Sequence, residues 1–429
     1  MTDIAGLAYY EVDFNADGTL NTDPGGGNGG LPNAVAAGGI SDLFFFAHGW
    51  NNGVVSAQAL YNAMFTLLAG QLGTNLATSA GVGVIWPALL FPDDDPSNTN
   101  PVPPTGADLA AALTPAFPDK AADLATLGNL LDTQPQDPGM LTKFQTLAQG
   151  LVTTPAQGSE DTGEAALVAN TDAATVLGHA AAMAPAPVTS ALGLGNPFAG
   201  LWSGARELLR TLSYYEMKNR AGVVGQNGLG PLLGQLVGPG GPPRIHLMGH
   251  SFGARLVAYS LAGLPSSSIG PASPVKTLML IQGAFSHFAF AHPLPIDPGR
   301  AGALAGFADR LDGPLLATFS SFDRATGWWY PAASMLSRQD SEGASDLTYR
   351  WGAMGHDGYQ QASPGAAVLP LSPPNSHYDF KAGGFYSLNS DAVISAIQSP
   401  LSGAHSDIQH PEVTWAVVEA ANLCPTRSP

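Results

Sequence analysis

The chain has 429 residues, a mass of 43.9 kDa, and 16 basic against 33 acidic residues, for a net charge of −17. That charge repels phosphate backbones and anionic lipid surfaces, which sets nucleic-acid binding aside. Hydrophobic residues make up 45%, so this is not the apolar-poor acidic chain that stays disordered, and its length suffices to bury a large core.

In chain order, Tyr9 to Phe14 alternates between apolar and polar positions and predicts a half-buried strand, followed by a turn at Asn15 to Gly18 and a loop over Gly25 to Gly30. Leu43 to Ala47 reads as a short, fully apolar strand, Ala57 to Leu72 as a helix, and Val82 to Trp86 as a second buried strand. Leu43 to Pro92 carries no charge, yet its apolar pieces are too short to span a bilayer. Asp93 to Pro104 is acidic and proline-rich. Ala/Leu-rich helical pieces follow at Ala107 to Leu113, Lys120 to Leu131, Met140 to Leu151 and Glu164 to Met183, then a stronger amphipathic helix over Leu201 to Arg220.

After the break at Gly238 to Gly241, strand and helix alternate again. Strands are expected at Arg244 to Met248, Val275 to Gln282 and Pro314 to Phe322, with a helix over Phe252 to Leu264. Gly327 to Ser390 reads as irregular, with short apolar pieces near Ala366 to Leu369 and Gly384 to Leu388. Pro411 to Leu423 is the last helix. Short apolar strands alternating with helices predict an α/β fold: a mostly parallel central sheet covered by helices on both faces. Residues 1–92 and 201–429 form the core in this reading, and 93–200 is a large helical insertion that is a candidate cap.

Ligands of such sheets bind beyond the carboxyl ends of the strands. There, after the Arg244 strand, stands Gly249-His250-Ser251-Phe252-Gly253, the one G-x-S-x-G in the chain. A strand turning sharply into a helix needs small residues on either side of the serine, and the turn is expected to push the hydroxyl into solvent. A second feature is the strand ending in Ala47-His48-Gly49-Trp50. Acyl transfer needs backbone amides aimed at the developing oxyanion. The amides of Trp50 and Phe252 are the candidates, with His48 holding the turn by hydrogen bonds.

On these motifs the chain resembles the serine hydrolases of the alpha/beta-hydrolase superfamily, over about Tyr9 to Pro92 and Ile245 to the C-terminus. The resemblance implies the order nucleophile, acid, base. Asp323, at the end of the Leu315 to Phe322 run, matches the acid, with Asp379, Asp309 and Asp312 as rivals. His405, in the small-residue loop Ser402 to Ile408, matches the base, with His356 next. The 82 residues between Asp323 and His405 exceed the superfamily's usual spacing. The implied activity is hydrolysis of a carboxylic ester, on a small-molecule or lipid-like substrate, through an acyl-enzyme and without a cofactor. A peptidase or amidase using the same residues, or a non-catalytic binding protein of the same fold, are the alternatives.

Two other signals are set aside. Asp13 to Gly18 mimics the start of a calcium loop, D-x-N-x-D-G, but Pro24 stands where the twelfth-position carboxylate belongs. No histidines have paired zinc spacing, and the single cysteine, Cys424, excludes a disulfide framework and a multi-cysteine metal site. The opening MTDIAGLAYYEVDF has neither a basic start nor an apolar run, so a cytoplasmic protein without a membrane anchor is expected.

Overall fold

The computed structural model describes residues 2–22, 27, 29–50, 52–89, 91, 104–161, 172–181, 198–295, 297–329, 349–350, 352–399 and 402–423. Among the described residues nine strands form one sheet: β1 (Thr2–Ile4), β2 (Leu7–Asp13), β3 (Asp42–Ala47), β4 (Ser79–Ile85), β5 (Arg244–His250), β6 (Val275–Ile281), β7 (Leu315–Phe319), β8 (Ala367–Pro370) and β9 (Phe385–Asn389). Their order is β1-β2-β4-β3-β5-β6-β7-β9-β8. Only β1 and β2 pair antiparallel; every other neighbouring pair is parallel.

Alternation along the strands divides the core into two layers. Leu43 and Phe45 of β3 pack with Leu247 of β5 against the helices Ala199–Val223 and Phe252–Gly263. Phe44 and Phe46 face the other way, with Met248, onto the helices Val54–Leu72 and Pro411–Ala420. Strands buried on both faces favour apolar residues without alternation, which is why β3 reads LFFFA after Asp42.

The order of the strands locates a crevice. From β3 the chain proceeds to β4 on one side, and from β5 to β6 on the other. The carboxyl ends of β3 and β5 lie side by side, with Ala47 opposite Gly249, and their connections leave in opposite directions. This is the switch point at which open α/β sheets place their ligands.

Several expectations need correction. The strand expected over Pro314 to Phe322 stops at Phe319, because Ser320 to Phe322 already turn toward Asp323. The supposedly irregular region contributes β8 and β9, which widen the sheet beyond β7. A short helix, Leu31–Ala37, stands where only a loop was expected nearby; it starts at a left-handed Gly30 without a side-chain cap. The helix expected from Leu201 runs over Ala199–Val223 and continues through a π-helical turn, Val224–Leu229. The expected turn after β2 is present: Asp17 accepts from the amide and hydroxyl of Thr19.

Residues 92–103, residues 25, 26 and 28 of the expected Gly25 to Gly30 loop, residues 164–171 and 182–183 of the expected Glu164 to Met183 helix, and Cys424 lie outside the described residues. Among the described residues no helix is long and apolar enough to cross a membrane.

The described part of the insertion does not sit apart from the core. Leu109, Leu127, Phe144 and Leu177 join the same continuous apolar cluster as β3 and β5. Residues 153–161 of the insertion are tied down by buried charge. Glu216 accepts from the amides of Thr153 and Thr154 at 2.8 and 2.9 Å. Asp161 pairs with Lys218 at 3.2 Å and with Arg255, which rises from the helix behind Ser251 and also reaches Gln157 at 2.8 Å. Buried charges persist only when paired in this way.

Glu160, beside Asp161, is 1% exposed and accepts from the amide of Ala303 at 3.0 Å. Burial, and then the Asp161 charge, push its carboxyl up to about 7. The folded chain therefore keeps a proton that the unfolded chain has lost, so this site's contribution is full at acidic pH and fades as pH rises through about 7. Glu160→Gln should melt within a degree or so of wild type at pH 5 and roughly a few degrees higher at pH 8.5. Thermal midpoints at the two pH values check this; a difference that does not change with pH contradicts it.

Candidate active site

Ser251 follows β5 directly and begins the Phe252–Gly263 helix, with φ 58 and ψ −119. A non-glycine residue at such a positive φ is strained. Its surroundings hold it there: the Ser251 amide donates to Ile281 O at 3.1 Å, and its carbonyl accepts from Ala254 and Ala284. The flanking glycines are needed for space. A side chain at Gly249 would collide with the Gly253 backbone, and one at Gly253 with the Ala47 carbonyl. A Cβ at Gly49 would lie 2.6 Å from that of Ser251. The elbow is thus wedged between β3 and β6, as the G-x-S-x-G reading requires.

The hydroxyl is not in open solvent, as the sequence suggested. Ser251 is only 5% exposed, because the Gly49 turn packs on one side of it and the His405 loop on another. His405 Nε2 lies 2.8 Å from Ser251 Oγ, and His405 Nδ1 lies 2.8 Å from Asp323 Oδ2. Asp323 is fully buried and accepts at Oδ1 from the Thr326 amide at 3.0 Å. With Nδ1–H donating to the carboxylate, the lone pair of Nε2 faces the serine hydroxyl.

Residues 82 positions apart meet because their loops are zipped together. Asp323 forms a β-bridge with Gly403, and the Ala404 amide donates to Phe322 O at 2.9 Å. Gly403 has φ 59, and a side chain there would strike the Phe322 carbonyl. The long spacing is accommodated by β8 and β9, which lie between the two positions in sequence.

The rivals lie elsewhere. Asp379 is exposed and pairs with Lys381, Asp309 is exposed, and Asp312 pairs with Lys276 at 2.6 Å at the amino ends of β6 and β7, the opposite end of the strands from Ser251. His356 packs against Gly327, and its buried Nδ1 has no hydrogen-bond partner among the described residues. His377 is exposed and pairs with Glu419 at 3.2 Å. His246 is bound to Asp42 at 3.0 Å at the start of β3 and β5.

Beside the serine, His48 Nδ1–H donates to the Gly49 carbonyl at 2.9 Å, and Asn52 donates to the same oxygen at 3.3 Å. The Gly49 carbonyl and the Trp50 N–H belong to one planar trans peptide and point in opposite directions, so fixing one fixes the other. His48 is stacked on Trp86, with centroids 5.5 Å apart, and burial pulls its imidazole down to about 4, which keeps it neutral. Its expected turn-holding role agrees with this geometry. Phe252 is the first residue of its helix, where an amide has no intrahelical acceptor. The rings of Trp50 and Phe252 pack with Tyr214 of the Ala199–Val223 helix, at centroid distances of 5.4 Å for Trp50–Tyr214 and 4.7 Å for Tyr214–Phe252.

A serine hydroxyl facing an imidazole lone pair, with a buried carboxylate on the far nitrogen, is the arrangement that makes such an oxygen nucleophilic. Sequence reasoning missed Asn52 and the buried Arg255–Asp161–Lys218 group. Arg255 on an otherwise apolar helix was the available signal, since a charge in such a place demands a partner. Comparison of the chain with protein-family models, curated proteins and solved structures yields no match in any of the three.

Proposed function

We propose that the chain is a serine hydrolase of the alpha/beta-hydrolase type that cleaves carboxylic esters. The observation that carries this reading is the hydrogen-bonded line from Asp323 through His405 to Ser251, on a strained elbow at the sheet's switch point. Ser251 Oγ attacks the acyl carbon as its proton passes to His405 Nε2. The amides of Trp50 and Phe252 hold the oxyanion of the tetrahedral intermediate. His405 then returns the proton to the departing alkoxide, leaving an acyl-enzyme. Water, deprotonated by His405, attacks that ester and releases the acid and Ser251. Asp323 keeps the imidazole in the required tautomer and stabilises its charged form.

The rings of Trp50, Phe252 and Tyr214 beside the serine support an apolar acyl or alcohol group, and the helical insertion is proposed as its cap. Esters are the substrates that demand least of the leaving group. A series of nitrophenyl esters of increasing acyl length, with matched anilides, tests the reading. The expected result is ester turnover whose kcat/KM rises by up to about fourfold per methylene until the pocket is full. Anilides turned over as well as esters would make the chain an amidase. Turnover of neither by folded protein would leave a binding protein.

A further inference from the structure

We propose that His250 is a positioning residue that holds the loop of the base at the height where His405 Nε2 meets Ser251 Oγ. The proposal rests on reading Ser251 and His405 as nucleophile and base. His250 is the last residue of β5, buried, and adjacent in sequence to the nucleophile. Its Nε2 lies 2.9 Å from the backbone carbonyl of His405. A carbonyl only accepts, so Nε2 carries the proton and Nδ1 is a lone pair; that buried Nδ1 has no hydrogen-bond partner among the described residues. The two rings lie 4.9 Å apart at 42°.

His405 is thereby fixed at three points: Nδ1 on Asp323, Nε2 on Ser251, and its own backbone on the residue preceding Ser251. The first contact sets the tautomer. The third sets the distance between two segments that are 155 residues apart in the chain. The isolated Nδ1 argues that the imidazole is not there for packing alone. An apolar ring would fill the same space without a buried, unsatisfied acceptor.

The chemistry of the site suits this role. Burial, and then repulsion from the charge that His405 gains on taking the serine proton, hold the His250 imidazole down at about 3. His250 therefore stays neutral while His405 accepts the serine proton, and places no second positive charge beside it.

The test compares His250→Gln, His250→Phe and His250→Asn in the full chain, by kcat and KM on the best nitrophenyl ester and by the rate of Ser251 phosphonylation with a fluorophosphonate. Phe keeps a ring but no donor. The Gln amide nitrogen reaches about as far as Nε2, whereas that of Asn falls short. A misplaced base slows the chemical step more than binding. His250→Phe and His250→Asn should lower kcat by roughly tenfold to a hundredfold with KM within about threefold, and His250→Gln should recover all but a few-fold. The acidic limb of the kcat profile should be the same for His250→Gln as for wild type, since neither side chain titrates there.

His250→Phe at wild-type kcat, or His250→Gln falling as far as His250→Asn, overturns the proposal. Should His250→Phe not fold, the Gln and Asn pair decides. Wild-type protein that neither turns over esters nor takes the phosphonate would instead overturn the underlying reading of Ser251 and His405, an outcome separable from the others.

Discussion

Replacing Ser251 by alanine is expected to lower ester kcat/KM by on the order of 10⁴-fold to 10⁶-fold, the range seen when a nucleophile that works as a unit with its base is removed. Nothing else near the elbow takes over. His405 would still sit on Asp323, but its Nε2 would face a methyl group in place of the hydroxyl 2.8 Å away. The fold should survive. Alanine meets the positive φ of 58 at about the same cost as serine, and the amide and carbonyl of residue 251 keep their bonds to Ile281, Ala254 and Ala284. The thermal midpoint should stay within a few degrees of wild type. Kinetics on purified variant and wild type check both halves, and turnover within tenfold of wild type contradicts the nucleophile assignment.

The second large effect belongs to the base. His405→Ala should lose about as much activity as Ser251→Ala, because without the imidazole the hydroxyl has no group to take its proton. Asp323→Asn should follow at about 10⁴-fold, since an amide facing Nδ1 favours the wrong tautomer. His356→Ala should lose less than about fivefold, an estimate that follows from its lack of contact with the reacting groups; it packs on Gly327, in the turn after Asp323, and does not meet Ser251. The four variants assayed side by side settle the ranking. A larger loss in His356→Ala than in His405→Ala would move the base to the Met354–Asp357 turn.

What was legible in the sequence follows from where the signals were local. β3, β4 and β5 are buried on both faces, so their runs are mostly apolar and hard to mistake, with Asp42, Arg244, His246 and His250 among the polar exceptions. The elbow was visible because its steric demands fall within five consecutive residues, Gly249 to Gly253. The Asp323–His405 pairing followed from the order expected of a resembled family, whereas the β-bridge between Asp323 and Gly403 that brings the two together is a long-range contact that no local pattern encodes.

The same limit explains the misses. The burial of Ser251 depends on loops from two distant parts of the chain, and the His250 bond joins segments 155 residues apart. Strand β8 escaped notice because Ala367, Val368 and Pro370 are exposed at the sheet's edge, where neither burial nor alternation is required. The Leu31–Ala37 helix is short and lacks a side-chain cap, so the usual start signal was missing.

The most direct test of the central claim is to map the adduct of a fluorophosphonate by peptide mass spectrometry. One phosphonyl group per chain is expected, on Ser251, formed on wild-type protein but lost or greatly slowed in His405→Ala. An adduct on another residue, or none on folded wild-type protein, would contradict it.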